Sequence, residues 1–347
     1  MPELAPDAPA STALAGRHYR IRDRYEVGRE KVREFARAVQ NHHPAHHFEA
    51  DAAKLGWDAV VAPPTFASVL GMATTQALLD SVLSEYDLSQ ILQTDQVFHI
   101  HRPILAGDAL RSEAEIESIR HLRGNDFITV KATILDAEDT VVQVGLTTIV
   151  ARLGAEVDAD IVRLVEGVVM HRREVGATTP EVLIPIAAEE ATPEPGLAES
   201  RRDVTVETQP NFDDIAVGDQ LPPATMRLTR GDLVNYAGVA GDSNPIHFSD
   251  RAAELAGLPT VVAHGMLTMG LGAQYLTSWL GDPGAIESYS VRFSGYVPVE
   301  RHSPAQIDFS AKIKSLDPER RVATILLSAT SAGKKLFGRA LAEVQLS

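Results

Sequence analysis

The segment Tyr236-Ala-Gly-Val-Ala-Gly-Asp-Ser-Asn-Pro-Ile-His247 sets a carboxylate, Asp242, shortly ahead of an imidazole, His247, and a further run, His264-Gly265-Met266-Leu267, opens on a glycine. An imidazole with an ordinary pKa of about 6.5 can act as a base near neutrality. A nearby carboxylate can orient that ring or share a proton with it. A glycine at the start of a helix offers unpaired backbone N–H groups at the positive end of the helix dipole, and no side chain to hold a ligand off. Asp242, His247 and Gly265 are therefore material for proton transfer beside an anion-stabilising pocket. Asn244 and Met266 flank them as candidate substrate-binding residues, and Tyr236, Ser243 and Asn244 are expected to shape the turn.

Local signals say how these groups are held. Thr229 and Asp232 have capping-box-like spacing ahead of an apolar helical stripe over 229–240. Asn244 precedes Pro245, which drives it out of the helical region and forces a turn. A short helix is expected from about Ser249 to Gly257, then the longest apolar helix, from His264 to about Leu280. The segments Phe127 to Leu135, Val141 to Arg152, Arg321 to Ala329 and Lys335 to Leu346 read as strands. A long helix followed by consecutive strands implies an α+β fold with an antiparallel sheet, because parallel strands need intervening crossovers.

The unit is written twice. Sliding the chain by 201 residues puts Arg29 on Arg230, Ala36 on Ala237, Pro44 on Pro245, His46 on His247, Gly56 on Gly257 and Leu70-Gly71 on Leu271-Gly272, with no gap from Val27 to Gly71. The chemistry is not duplicated with the fold. Asp242 corresponds to Asn41, which is no carboxylate, and Gly265 corresponds to Pro64, which has no N–H to donate. The first copy is thus expected to keep the fold without the reaction. Phe66, Val69, Leu70 and Met72, near its helix, are candidates to line an apolar channel, with plain core as the equal alternative. The cluster His42, His43, His46 and His47 has metal-like spacing, but Pro44 breaks the helix that would align it, so no metal is expected there.

Composition narrows the class. The 347 residues suit two domains, and there is no cysteine, which excludes disulfides and thiol catalysis. A net charge of −15 disfavours nucleic acid. No stretch approaches the roughly 20 apolar residues of a membrane helix, and Met1 to Gly16 reads as a disordered lead, so a cytoplasmic protein is expected. Between the copies an acidic, Pro-rich stretch around Glu189 to Gly196 reads as an extended linker that can cross the surface. Lys312, Lys314, Arg320, Arg321, Lys334, Lys335 and Arg339 make a local basic stretch, either a docking patch for an acidic partner or a solvated strand face.

Tyr236 to Ala253, with its Gly-Asp-x-Asn-Pro-aliphatic-His core, resembles the signature of the MaoC-like (R)-specific hydratase family; Ala240 stands where the pattern prefers Ser, Thr, Gly or Cys. Val217 to Leu221, Ala263 to Gly270 and Gly281 to Ala285 are similar to the catalytic subunit of HadAB-type (3R)-hydroxyacyl-ACP dehydratases. Tyr25 to Val27, Val39 to Asn41, Ala62 to Phe66 and Arg102 to Asp108 are similar to the non-catalytic subunit. The resemblance implies a double hot-dog fold, two antiparallel sheets each wrapped around a long central helix. It divides the chain into a degenerate domain over 17–165, a linker over 166–210 and a catalytic domain over 211–347. It implies reversible dehydration of a (3R)-3-hydroxyacyl thioester in type II fatty-acid elongation, including mycolic-acid precursors, with Asp242 and His247 catalytic, Gly265 in the oxyanion hole and no cofactor. The implied partners are acyl carrier protein or CoA thioesters and other enzymes of that cycle, with the two halves as an intrachain pseudo-dimer. An (R)-specific enoyl-CoA hydratase of fatty-acid degradation and a non-catalytic acyl-thioester binding protein are the alternatives.

Overall fold

A computed structural model describes residues 13–84, 86, 91–151, 160, 163–164 and 182–347. Most of the expected lead and the expected boundary near residues 165 and 166 lie outside these. Among the described residues no helix is long and apolar enough to cross a membrane.

The strands are β1 (His18–Ile21), β2 (Tyr25–Glu26), β3 (Leu92–Ile100), β4 (Ala109–Leu122), β5 (Asn125–Leu135), β6 (Val141–Ala151), β7 (Leu183–Ile186), β8 (Gln220–Leu228), β9 (Ile286–Phe293), β10 (Ala305–Asp317), β11 (Val322–Ser331), β12 (Lys334–Lys335) and β13 (Phe337–Gln345). They follow one open path, β7-β1-β4-β5-β6-β3-β9-β13-β11-β10-β8, with β12 on β11 and β2 on β4. Every pairing is antiparallel. The period-2 rule is plain in β10, where Ile307, Phe309, Ala311 and Ile313 are buried and Lys312 and Lys314 are exposed.

The expected pair of sheets is in fact joined into one. Strand β3 of the first half pairs with β9 of the second, from Asp95 opposite Arg292 to His99 opposite Ser288. Each of these strands would otherwise leave a row of unpaired backbone groups at a sheet edge, and pairing them removes both edges at once. Arg292 Nε also donates to Asp95 Oδ1 at 2.7 Å across that seam.

A long helix lies against the sheet in each half, Ser68–Ser81 in the first and Gly265–Leu280 in the second. The first helix starts four register positions later than its counterpart because Pro63 and Pro64 occupy the places of His264 and Gly265. Two glycines let the second helix pack closely. A Cβ on Gly270 would come within 2.6 Å of Val39 Cγ1 in the first half, and one on Gly272 within 2.3 Å of the Tyr289 hydroxyl.

The segment expected to cross the surface is tied in more firmly than that. Strand β7 pairs with β1, and Arg201, only 2% exposed, donates to Glu287, to the Ile100 carbonyl and to the Gly284 carbonyl. Arg320 binds the other oxygen of Glu287 at 2.6 Å, so the carboxylate buried there is fully paired. A polar, Pro-rich composition does not reveal such anchors, because they depend on partners far away in the chain.

Candidate active site

The helix Arg230–Ala240 begins with the expected capping box of Thr229 and Asp232 and ends at Gly241 with φ of +80°, a left-handed residue that suits glycine. That stop turns the chain so that Asp242 follows immediately. Asn244 is extended, as a residue before proline should be, and its side chain accepts from the Ile246 amide. Pro245 then starts a single 3₁₀ turn, Pro245–His247, that ends on the imidazole. Ser249 caps the next helix, Asp250–Leu255, and Gly257 follows it with φ of +74°.

Within this frame the His247 Nδ1–H donates to the Val262 carbonyl at 2.7 Å. That bond assigns the tautomer and leaves Nε2 with a free lone pair. Nε2 faces Asp242 Oδ2 at 4.0 Å, and the other Asp242 oxygen accepts from the Asn244 amide. A gap of 4.0 Å is longer than a direct hydrogen bond and suits a small group held between the two. Burial lowers the His247 pKa, more strongly than the neighbouring Asp242 charge raises it. The ring is therefore a neutral base at neutral pH.

Gly265 is the first residue of its helix, and the first intrahelical hydrogen bond runs from the Thr268 amide to the His264 carbonyl. The amides of Gly265, Met266 and Leu267 precede it and have no intrahelical acceptor. The sequence-predicted groups thus come together as expected. Asp242, Asn244, His247, Gly265 and Met266 all line one cavity of about 390 Å³.

Further second-half residues, among them Tyr236, Phe293, Gly295 and Tyr296, line that cavity, and the first half supplies the remaining wall. Ser68, Met72, Thr75, Gln93, Gln96, Ile134 and Ile149 contribute to its walls, and Gln93 Nε2 touches the Met266 sulfur at 3.5 Å. Among the acyl-channel candidates, Met72 lines the cavity. Phe66 and Leu70 are buried in the core and Val69 packs against it, with Phe66 edge-on to Phe35 at 5.3 Å. They point to the other face of the helical segment, which periodicity alone did not separate from the lining face.

The equivalent place in the first copy is filled. Asn41, 1% exposed, donates to Thr277 Oγ1 at 3.1 Å, and His43 Nε2 meets the Gly281 carbonyl at 2.9 Å. His46 repeats the His247 bond, with its Nδ1–H donating to the Val61 carbonyl at 2.7 Å. Burial drives its pKa down to about 3. His47 is held on the Asn41 carbonyl at 3.0 Å and His42 is exposed, so His43, His46 and His47 each meet a different backbone carbonyl.

Sequence reasoning assigned no role to His264. Its ring is fully buried and stacks on His247 with centroids 3.7 Å apart and planes at 27°. Ligand atoms of Asp242, His247 and His264 all lie within 4.8 Å of one another. Stacked imidazoles direct their in-plane lone pairs side by side, which suits a proton-transfer site better than convergent ligation of an ion. The spacing of His264, directly before the helix-start glycine, was the one available signal for it.

Comparison with known proteins agrees with this architecture. A model described as the FAS1-like dehydratase domain region matches residues 13–144, and a MaoC like domain matches residues 214–327. A UPF0336 protein of Saccharopolyspora erythraea is 40% identical over 148 residues, which are 43% of this chain and 95% of its own. A solved MaoC-like dehydratase is 44% identical, with 97% of this chain and 100% of that one covered at a TM-score of 0.85. A Mycobacterium tuberculosis protein described as a double hotdogfold, 15% identical, shares the fold over 99% of both chains at a TM-score of 0.63. The chain belongs to the MaoC-like dehydratases, with two hot-dog units fused in one polypeptide.

Proposed function

We propose that the protein catalyses the reversible dehydration of a (3R)-3-hydroxyacyl thioester to the trans-2-enoyl thioester and water. The observation that carries this reading is the 4.0 Å approach of the His247 Nε2 lone pair to the Asp242 carboxylate on the wall of the cavity that Gly265 also lines. His247 Nε2 takes the C2 proton, and the electrons of the C2–H bond form the double bond to C3. The C3–O bond breaks, and the proton on His247 leaves with the hydroxyl as water. Asp242 neighbours the transient imidazolium and lowers its energy. General acid–base assistance of this kind is worth about 10²–10⁴-fold. The amides at the start of the Gly265 helix offset charge that develops on the thioester oxygen, worth roughly 3–4 kcal/mol for one donor.

The acyl chain lies along the first-half wall, where Met72, Ile134 and Ile149 supply apolar surface. An acyl carrier protein of type II fatty-acid elongation is the proposed carrier. Its support is the exposed Lys334 and Lys335 beside Gly295, which lines the cavity and sits against the Lys335 carbonyl. The test is hydration of trans-2-enoyl thioesters from short to long chain, each on CoA and on acyl carrier protein. Preference for long chains on the carrier supports the biosynthetic dehydratase. Efficient turnover of short CoA esters with no gain from the carrier replaces it with a degradative enoyl-CoA hydratase. No turnover of any ester overturns the reaction and leaves thioester binding.

A further inference from the structure

His264 is buried more completely than a polar residue needs to be at a working site. It has no measurable exposure, and neither ring nitrogen makes a hydrogen bond of normal geometry. An imidazole in that state costs stability that an apolar side chain of similar size would avoid. The fold nevertheless places it at the one point that touches all three functional groups. Its ring stacks on His247 at 3.7 Å, and its other neighbours are the Tyr236 ring at 5.0 Å and the Asp242 main-chain carbonyl. Its own backbone leads directly into Gly265, as the N-cap residue of the helix.

We infer that His264 is a positioning residue, whose stacked ring holds the His247 imidazole in register with Asp242 and the Gly265 amide and keeps water off its face. This rests on the proposed acid–base reaction for its catalytic consequence, though not for its structural one. The Val262 carbonyl restrains His247 only at Nδ1 and leaves the ring free to rock about that bond. A flat neighbour at stacking distance removes that freedom. It also completes the burial that lowers the proton affinity of His247.

The neighbour must itself stay neutral, since two stacked cations would repel. Burial, followed by His247, pushes the His264 pKa well below its ordinary value. Among the described residues the ionisable groups that face His247 are Asp242, from the loop after helix Arg230–Ala240, and His264, from the head of the long helix. Tyr236 lies beyond His264, and its own pKa is raised by burial. Tyr296 lies on the cavity wall, and the described first-half residues of that wall include no ionisable side chain.

The test compares His264→Phe, which keeps a flat ring and loses the nitrogens, with His264→Ala, which loses the stack. NMR titration of the His247 ring reads the positioning whether or not the enzyme turns over. In His264→Ala, water admitted to the ring face is expected to raise the His247 midpoint toward about 6.5, and in His264→Phe the midpoint stays low. The acid limb of kcat/KM should move with it, and kcat in His264→Ala should fall by about tenfold or more with KM little changed, while His264→Phe keeps most of its turnover. An unchanged His247 midpoint in His264→Ala overturns the inference, as does a His264→Phe variant that folds and loses as much turnover as His264→Ala. If His264→Ala does not fold, His264→Phe decides alone. Absence of turnover in the unmodified protein would sink the reaction and leave the titration result standing.

Discussion

Asn41 reaches out of the first half and donates to Thr277 Oγ1, 3.1 Å away on the long helix of the second half. In the repeat register Asn41 stands where Asp242 stands, so the position that carries a carboxylate in one copy carries an interface contact in the other. The same register position thus faces the cavity in the second copy and joins the halves in the first.

Restoring the carboxylate is therefore expected to harm the protein without reviving a second site. Asn41→Asp would bury a charge at a position only 1% exposed, with Pro64 still unable to supply an amide. A loss of about 1–3 kcal/mol in urea denaturation, with no added turnover in an Asp242→Asn background, is the expected outcome. Turnover restored in that double variant would mean that the missing carboxylate alone silences the first half and that an amide donor in place of Pro64 is not needed.

Asp242→Asn in the native chain keeps shape and hydrogen-bonding capacity and removes the charge beside the imidazole. Turnover should fall by about 10²-fold or more while thermal stability changes little. Unchanged turnover would remove Asp242 from the site.

Gly265→Pro isolates the backbone donor. Proline is tolerated at the first position of a helix, and His264 already has the φ of −59° and ψ of 136° that a residue before proline favours. The helix should therefore still form while the Gly265 amide is lost. The expected cost is about 10²–10³-fold in kcat, with a melting temperature close to that of the parent. A parent-like kcat would show that this amide does not meet the developing charge.

Acid should weaken the fold through its buried histidines. The folded pKa of His46 is lowered to about 3, and those of His43, His101, His247 and His264 are lowered as well, in each case chiefly by burial. The unfolded chain then takes up protons first, so this stability is complete above a pH of about 6.5 and is lost as pH falls through the window toward the folded values. Each such group contributes up to about 1.4 kcal/mol per pH unit in that window. His46→Gln should make the pH dependence of urea denaturation shallower by one proton, and an unaltered slope would contradict the assignment.

Close packing around the second long helix predicts a further sensitivity. Gly272→Ala would set a methyl 2.3 Å from the Tyr289 hydroxyl and 3.1 Å from Leu327 Cδ2, both on buried side chains. A loss of about 1–3 kcal/mol is expected from overpacking. Gly71→Ala, the matching change in the first copy, meets nothing within 4 Å and should be nearly neutral, which makes the pair an internal control.

The duplication, the antiparallel α+β class, the capping box at Thr229 and the grouping of Asp242, His247 and Gly265 were all legible in the chain. The duplication is read by comparing stretches 201 residues apart; the others rest on residues close together in sequence: a capping spacing, a proline after an asparagine, a glycine at a helix start, a period-2 strand. The strand expected over Val141 to Arg152 appears as Val141–Ala151, and the helix expected from His264 to about Leu280 as Gly265–Leu280. Local rules suffice where the determining interactions are local.

Tertiary structure decided the rest. Pairing of β3 with β9, the anchoring of Arg201 on Glu287, the stack of His264 on His247 and the division of the channel candidates between Met72 in the cavity wall and Phe66 and Leu70 in the core all join residues from distant segments. Their energies come from burial and from partners that exist only once both halves are packed. By itself the sequence determined which groups could react and which turns present them. Packing determined what surrounds them, because solvent exclusion and shape belong to the assembled interior and to no single stretch of chain.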